Sequence, residues 1–393
     1  MHWPSALQPL IIPQSHPERS KLLDLVLTLQ KESERLKSRL PTSLADALPR
    51  LIRSMNCYYS NLIEGHNTHP VDIERALQQD YSQDQEKRDL QREAVAHIEV
   101  QSWLDAQLFD RQALFSVALA KEIHGRFIQL LPEALRWVET PDSGERIEVL
   151  PGQLRRNDVR IGQHVAPPVQ EVPELLARWE KAYAPLSVVE QLLHVAAAHH
   201  RWLWIHPFND GNGRVARLLS HVQFNKLLEA GGLWSISRGL ARNVDQYKQL
   251  LAACDQPRRN DLDGRGHLSQ EALIQFTAFI LETCALDQVR FMHDLIQPQA
   301  LSTRIMRWTV EQIEARHLPK GADTLMAHLL IHGQMTRSQA QQLLNVSDRQ
   351  ARRVVSALEK TGAVHIAHKQ APIELNLSER LAGAWFPKLF PVV

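Results

Sequence analysis

The chain has 393 residues, 44% of them hydrophobic and 23% charged, with 45 Lys and Arg against 44 Asp and Glu. That length allows two or three domains with a full hydrophobic core. A net charge of +1 excludes nucleic-acid or membrane binding by bulk charge, and three widely spaced cysteines, Cys57, Cys254 and Cys284, exclude a disulfide framework and a Cys-rich zinc site. The first fourteen residues carry prolines and no Lys or Arg, unlike a signal peptide, and no apolar run approaches the roughly 18 residues of a membrane span. A cytoplasmic chain without a membrane partner is expected.

Helical periodicity opens at 21–40, where Leu22, Leu25, Val26, Leu29 and Leu36 share a face. Ser60-Asn61-Leu62-Ile63-Glu64-Gly65 reads on its own as a helix end with Gly65 just beyond it. Further helices are expected at 89–109 and 113–128. Between 136 and 168 the pattern breaks. Alternation at 146–149 and 159–161, with Gly144 and Gly162 at the ends, predicts one β-hairpin standing out from a helical body. Helices resume at 188–205, 214–230, 270–291 and 302–317. Leu318-Pro319-Lys320-Gly321 stops the last of these, so the chain divides into 1–110, 111–318 and 319–393.

The densest chemistry is His206-Pro207-Phe208-Asn209-Asp210-Gly211-Asn212-Gly213-Arg214-Val215-Ala216-Arg217. A glycine-rich turn here links two apolar helices. The N–H groups and dipole of the second helix favour an anion such as phosphate, and Gly211 and Gly213 permit close backbone approach. Arg214 and Arg217, three apart on one face, suit forked binding of phosphate oxygens. Asp210 offers a hard oxygen for Mg²⁺, and His206 has the acidity of a general base near neutral pH. Singly, each feature has a common structural explanation; their conjunction points to phosphoryl chemistry.

This string resembles the signature of the Fic family, His-x-Phe-x-Asp/Glu-Gly-Asn-Gly-Arg-x-x-Arg, at every defined position. The resemblance implies a mainly α fold: a Fic-type helical core with a β-hairpin flap that holds a target by strand addition. It implies transfer of AMP from ATP to a Ser, Thr or Tyr hydroxyl of a protein, the chain itself included. His206 would then be the base and Asp210 the Mg²⁺ ligand. Gly211, Asn212 and Gly213 would form the anion cradle, with Arg214 on the phosphate chain and Arg217 on the γ-phosphate. Many family members carry an inhibitory helix of pattern Ser/Thr-x-x-x-Glu-Gly/Asn, which Ser60, Glu64 and Gly65 match. Glu64 paired with Arg217 would act as a brake, and in some relatives that glutamate supports the reverse removal of AMP.

Two other clusters fail as metal sites. The stretch 261–268 lacks the ligands of a calcium loop, and His194, His199 and His200 lack zinc spacing. Beyond residue 320, capping boxes at Thr336/Gln339 and Ser347/Gln350 open two helices, the second displaying Arg349, Arg352 and Arg353, before an alternating stretch at 364–377. This resembles a winged helix-turn-helix and makes DNA a candidate partner, although 321–393 holds only eight basic residues against five acidic ones. The alternative function is therefore a DNA-binding regulator whose Fic domain senses a nucleotide. A homodimer stays open.

Overall fold

The computed structural model describes residues 6–40, 44, 47–139, 144 and 146–391. The first five residues of the stretch read against a signal peptide lie outside them. Helices dominate. Helix α1 (Arg19–Arg39) buries Leu22, Val26, Leu29 and Leu36, the expected stripe. Helix α2 (Ala47–Ile63), absent from the expected helices, is buried on nearly every side, although Leu48, Leu51, Ile52, Met55, Tyr58 and Tyr59 follow helical spacing. It ends with Gly65 at φ +88°, where His66 N–H bonds the Asn61 carbonyl at 3.0 Å. The helix-end reading of Gly65 is thus correct.

Helices α3 (Pro70–Leu77), α4 (Gln85–Ala106) and α5 (Val117–Leu130) follow. After the flap, α6 (Val172–Tyr183) and α7 (Val188–Ile205) lead into the central loop and α8 (Asn212–Leu227). Helices α7 and α8 pack on each other, with Val195, Ala196, Trp202, Leu218 and Val222 all buried. Short helices α9 (Ile236–Arg242) and α10 (Val244–Ala253) precede α11 (Gln270–Leu295), which widens into a π turn at Ile280–Leu286. That run is long and apolar enough to cross a membrane, so the expectation of no such run fails; its strongest window is 72% buried inside the protein. The turn allows a close approach: a Cβ on Gly239 of α9 would lie 2.5 Å from Cys284 Cα. All three cysteines are free and buried.

The flap differs from expectation. Instead of 146–149 pairing with 159–161, each segment pairs with its own neighbour. Strand β1 (Trp137–Glu139) pairs antiparallel with β2 (Arg146–Glu148), Val138 opposite Ile147. Strand β3 (Arg160–Ile161) pairs with β4 (His164–Val165) around Gly162, so Gly162 is a turn within its own hairpin. Alternation marks both halves alike and carries no information about partners.

Helix α12 (Pro298–Glu314) connects to a small carboxy-terminal unit: α13 (Ala322–His332), β5 (Gln334–Met335), α14 (Arg337–Leu344), α15 (Asp348–Thr361), β6 (Val364–His365) and β7 (Ile373–Leu375). The sheet order is β5-β7-β6, antiparallel throughout. Both expected capping boxes form, at Thr336 and Ser347. Helix α16 (Glu379–Trp385) and the residues after it return to the body. Tyr59 of α2 donates to the Leu389 carbonyl at 3.0 Å, Arg380 pairs with Glu74 at 3.1 Å, and Trp308 packs edge-on against Trp385. Nothing local in the sequence foretells this return.

Candidate active site

His206 ends α7 at φ +50°, a left-handed conformation unusual for a residue with a side chain. Its N–H still bonds the Trp202 carbonyl at 3.0 Å, so the chain leaves the helix in a tight reversal. Asn212 then closes the loop on itself: Phe208 N–H donates to Asn212 Oδ1 at 3.0 Å, and Asn212 Nδ2 donates to the Phe208 carbonyl at 2.8 Å. The Asn212 side chain therefore shapes the cradle. Phe208 lies face to face with His124, ring centroids 3.8 Å apart. Gly152 N–H donates to His124 Nδ1 at 2.9 Å, which ties the root of the flap to the same loop.

Gly211, at φ +78°, caps α8, and the first-turn N–H groups of that helix face the site. Glu64 reaches over this turn. A Cβ on Gly213 would lie 2.6 Å from Glu64 Oε1 and 3.0 Å from Arg217 Nη1. Arg217 Nη2 donates to Glu64 Oε1, and Arg217 Nε donates to Ser60 Oγ at 2.8 Å. Burial pushes the Glu64 carboxyl up, but the charge and hydrogen bond of Arg217 outweigh it, and Arg214 and His66 add to the pull, holding the group at about 2. Ser60 and Glu64, four residues apart, thus form one cluster with Arg217, which is distant in sequence.

Arg214 has partners of its own. Its Nη2 donates to Glu93 of α4 at 3.1 Å, and Nη1 lies 3.7 Å from the exposed Asp210 carboxylate. Glu93 also faces His66 Nδ1 at 3.4 Å. Sequence reasoning missed Glu93, which stands in no motif and is recruited only by the fold. Burial lowers the pKa of His206 to about 4, with His164 and Arg155 pushing the same way and the Leu203 carbonyl and Glu64 opposing them. The imidazole is neutral at physiological pH, the form a proton acceptor needs. A groove lined by Val138, Ile147, Val159, Ile161 and Asn209 opens onto it from the flap.

Three polar atoms around the loop are buried without a hydrogen-bond partner: His124 Nε2, Asn209 Oδ1 and Arg214 Nε. Such a concentration fits a polar ligand. Among the described residues no group of three His, Cys, Asp or Glu side chains could cage a metal. Asp210 alone fits Mg²⁺, which takes one or two carboxylates when phosphates supply further oxygens. The three other histidines are engaged in packing: His199 contacts Ser220 and Tyr247, His200 contacts Asp255, and His194 accepts from Ile12 N–H.

A helical body that presents a base, an anion cradle and paired arginines on one loop defines a Fic-type site. Residues 114–224 match the sequence profile of the Fic/DOC family. That match runs from the residues before α5 through the flap and the central loop into α8, so it is this part of the chain that is similar to the Fic family. The chain is 27% identical over 230 residues to the Protein adenylyltransferase Fic of Culex quinquefasciatus, covering 55% of this chain and 43% of that one. The protein of the same name from Drosophila erecta is 37% identical over 73 residues, covering 18% and 15%. The matched regions therefore span less than half of these relatives. In fold, the chain is similar to a Fic family protein from Desulfovibrio desulfuricans G20, with TM-score 0.50 and 16% identity over 90% of this chain and 96% of that one. It is also similar to C. elegans Fic-1 (residues 134–508), with TM-score 0.53 and 17% identity over 71% and 73%.

Proposed function

We propose that the chain is a protein adenylyltransferase restrained by its own Glu64. The observation that carries this reading is a neutral His206 at the mouth of an anion cradle whose second arginine is already paired. In the reaction, a target hydroxyl oxygen attacks the α-phosphorus of ATP. The bond to the bridging oxygen breaks, pyrophosphate leaves, and the hydroxyl proton passes to His206. Free N–H groups at the start of α8, with Arg214, stabilise the phosphate oxygens as charge redistributes. Asp210 would hold Mg²⁺, which supplies charge neutralisation on the phosphates. The flap groove orients the target, and strand edges recognise backbone rather than sequence, as suits a flexible protein segment.

Glu64 blocks this in two ways. It occupies the arginine that a γ-phosphate would need, and it sets a carboxylate over the helix N-terminus where phosphate oxygens belong. Incubation with ATP labelled at the α-phosphate tests the reading: Glu64→Gly should label protein, the chain itself included, and Glu64→Gly/His206→Ala should not. Label retained by the double variant refutes the role of His206. Wild-type chain that strips AMP from modified target would extend the role of Glu64 to the reverse reaction.

The carboxy-terminal unit supports a second reading. Its helices and β5-β7-β6 sheet follow winged-helix order, and Arg349, Arg352 and Arg353 of α15 are exposed. On this reading the unit contacts duplex DNA and the Fic domain senses a nucleotide. Full-length chain and an Arg349→Ala/Arg352→Ala/Arg353→Ala variant, compared by gel shift across salt concentrations, decide it. No wild-type binding at low salt eliminates DNA.

A further inference from the structure

The root of the flap holds a buried cation with an unusual set of partners. Arg155 lies between β2 and β3, and its side chain has no exposed surface. Its Nε donates to the His206 carbonyl at 2.9 Å, and its own N–H donates to the Pro207 carbonyl at 2.9 Å. Nη1 donates to the Asn157 carbonyl at 2.8 Å and Nη2 to the Pro167 carbonyl. The one carboxylate nearby, Asp158, stands 3.8 Å away and is 69% exposed. A buried guanidinium satisfied mainly by carbonyls is costly compared with an apolar side chain of similar volume. If Arg155 only filled the flap root, a leucine or methionine would serve better.

We propose that Arg155 is a positioning residue for His206: by fastening two successive carbonyls, it fixes the left-handed turn that aims the imidazole at the anion site. The proposal rests on the adenylyl-transfer reading for its kinetic consequence, though not for its geometry. His206 is held at a positive φ, a conformation that persists only when its surroundings over-determine it. Trp202 and Leu203 hold the residue from the helix side, through its N–H and its ring. Arg155 holds it from the flap side, through its carbonyl and that of Pro207, a residue with no N–H of its own to contribute. Rotation of the 206–207 peptide would swing the imidazole away from the cradle.

The same guanidinium ties Asn157 and Pro167, which flank the β3–β4 hairpin. Base and target groove thereby share one anchor. His164 of β4 adds a contact to the Trp204 carbonyl at 2.8 Å. The groups that face His206 are therefore Arg155 from the flap root, His164 from β4, Glu64 from the end of α2 and the Leu203 carbonyl from α7. Arg155 and His164 disfavour a second proton on the ring. Loss of Arg155 should thus both misplace His206 and make it more basic.

The test uses the full-length chain with Glu64→Gly as parent, adding Arg155→Met or Arg155→Lys. Methionine keeps volume and loses every side-chain donor; lysine keeps the charge but cannot bridge several carbonyls at once. For Arg155→Met, kcat should fall on the order of 100-fold, as expected for a displaced reacting group, with KM for ATP within about two-fold of the parent. The His206 titration, followed by NMR of ¹³C-labelled histidine with His206→Ala for assignment, should move to higher pH. For Arg155→Lys, kcat should fall about 10-fold, as for a partial loss of the same positioning. A purely structural role would not move the His206 titration while sparing ATP binding. Either folded variant with kcat within two-fold of parent and an unmoved titration overturns the proposal. So does a rise in KM for ATP at unchanged kcat, which would put Arg155 in nucleotide binding. If Arg155→Met fails to fold, Arg155→Lys decides alone. If the Glu64→Gly parent transfers no AMP, the functional reading falls, and the His206 titration still judges Arg155.

Discussion

Removal of the Glu64 carboxylate has an effect that the geometry sizes. Its carboxyl is held at about 2 against an ordinary 4.5, the balance of burial against Arg217, Arg214 and His66. At about 1.4 kcal/mol per pKa unit, that corresponds to roughly 3 kcal/mol of preference for the charged, paired state. About a third of the side chain is open to solvent, 35%, so screening reduces the usable part to about 1.5–2 kcal/mol. A γ-phosphate competing for Arg217 must overcome that amount. Glu64→Gly should therefore raise α-label transfer about 10- to 30-fold at saturating target. Glu64→Gln, which keeps an acceptor for Arg217 but no charge, should give an intermediate gain. Because the folded-state value is depressed, the pair is fully formed above about pH 4.5 and is lost only as pH falls toward 2. No change between pH 5 and 8 should release the wild type. The assay is initial-rate label incorporation at matched protein concentration, with His206→Ala as blank. Transfer by Glu64→Gly within two-fold of wild type would refute the brake.

Three further expectations follow from named contacts. With His206 held neutral down to about 4, the Glu64→Gly rate should be level between pH 6 and 8 and decline only near pH 4–5; a decline centred near 6.5 would show that burial does not depress the imidazole. Glu93→Ala leaves the buried Arg214 guanidinium without its best-placed carboxylate and should lower stability by about 3 kcal/mol, read from urea unfolding; an unchanged midpoint would contradict that role. Gly239→Ala drives a methyl to 2.5 Å from Cys284 Cα and should cost about 2–3 kcal/mol, seen as a lower melting temperature; a variant as stable as wild type would show that α11 yields there.

The cradle was legible in the sequence because its chemistry is contiguous: a turn and the helix it caps place His206, Asp210, Gly211, Gly213 and Arg214 together whatever the remaining fold does. Glu64 was legible through a resemblance, since the residues themselves say only that a helix ends at Gly65. Glu93 and Arg155 were not legible. Each acts through a distant partner, and Glu93 is spaced like any charge on a helix face. Helix α2 was legible but not expected, since Leu48, Leu51, Ile52, Met55, Tyr58 and Tyr59 carry helical spacing; the flap was mispaired because strands of two or three residues leave alternation no way to specify a neighbour. The winding of α13 to β7 followed its two capping boxes closely. The return of α16 onto Tyr59 and Glu74 depends on contacts more than 300 residues apart, which no local pattern encodes.

The central claim is that the α-phosphorus of ATP is transferred to protein. Parallel incubations of the full-length Glu64→Gly chain with α-labelled and γ-labelled ATP test it most directly. The account predicts label on protein from the α position alone, release of the γ label as pyrophosphate, and loss of both signals in Glu64→Gly/His206→Ala. Protein labelled from the γ position, or from neither, would contradict it.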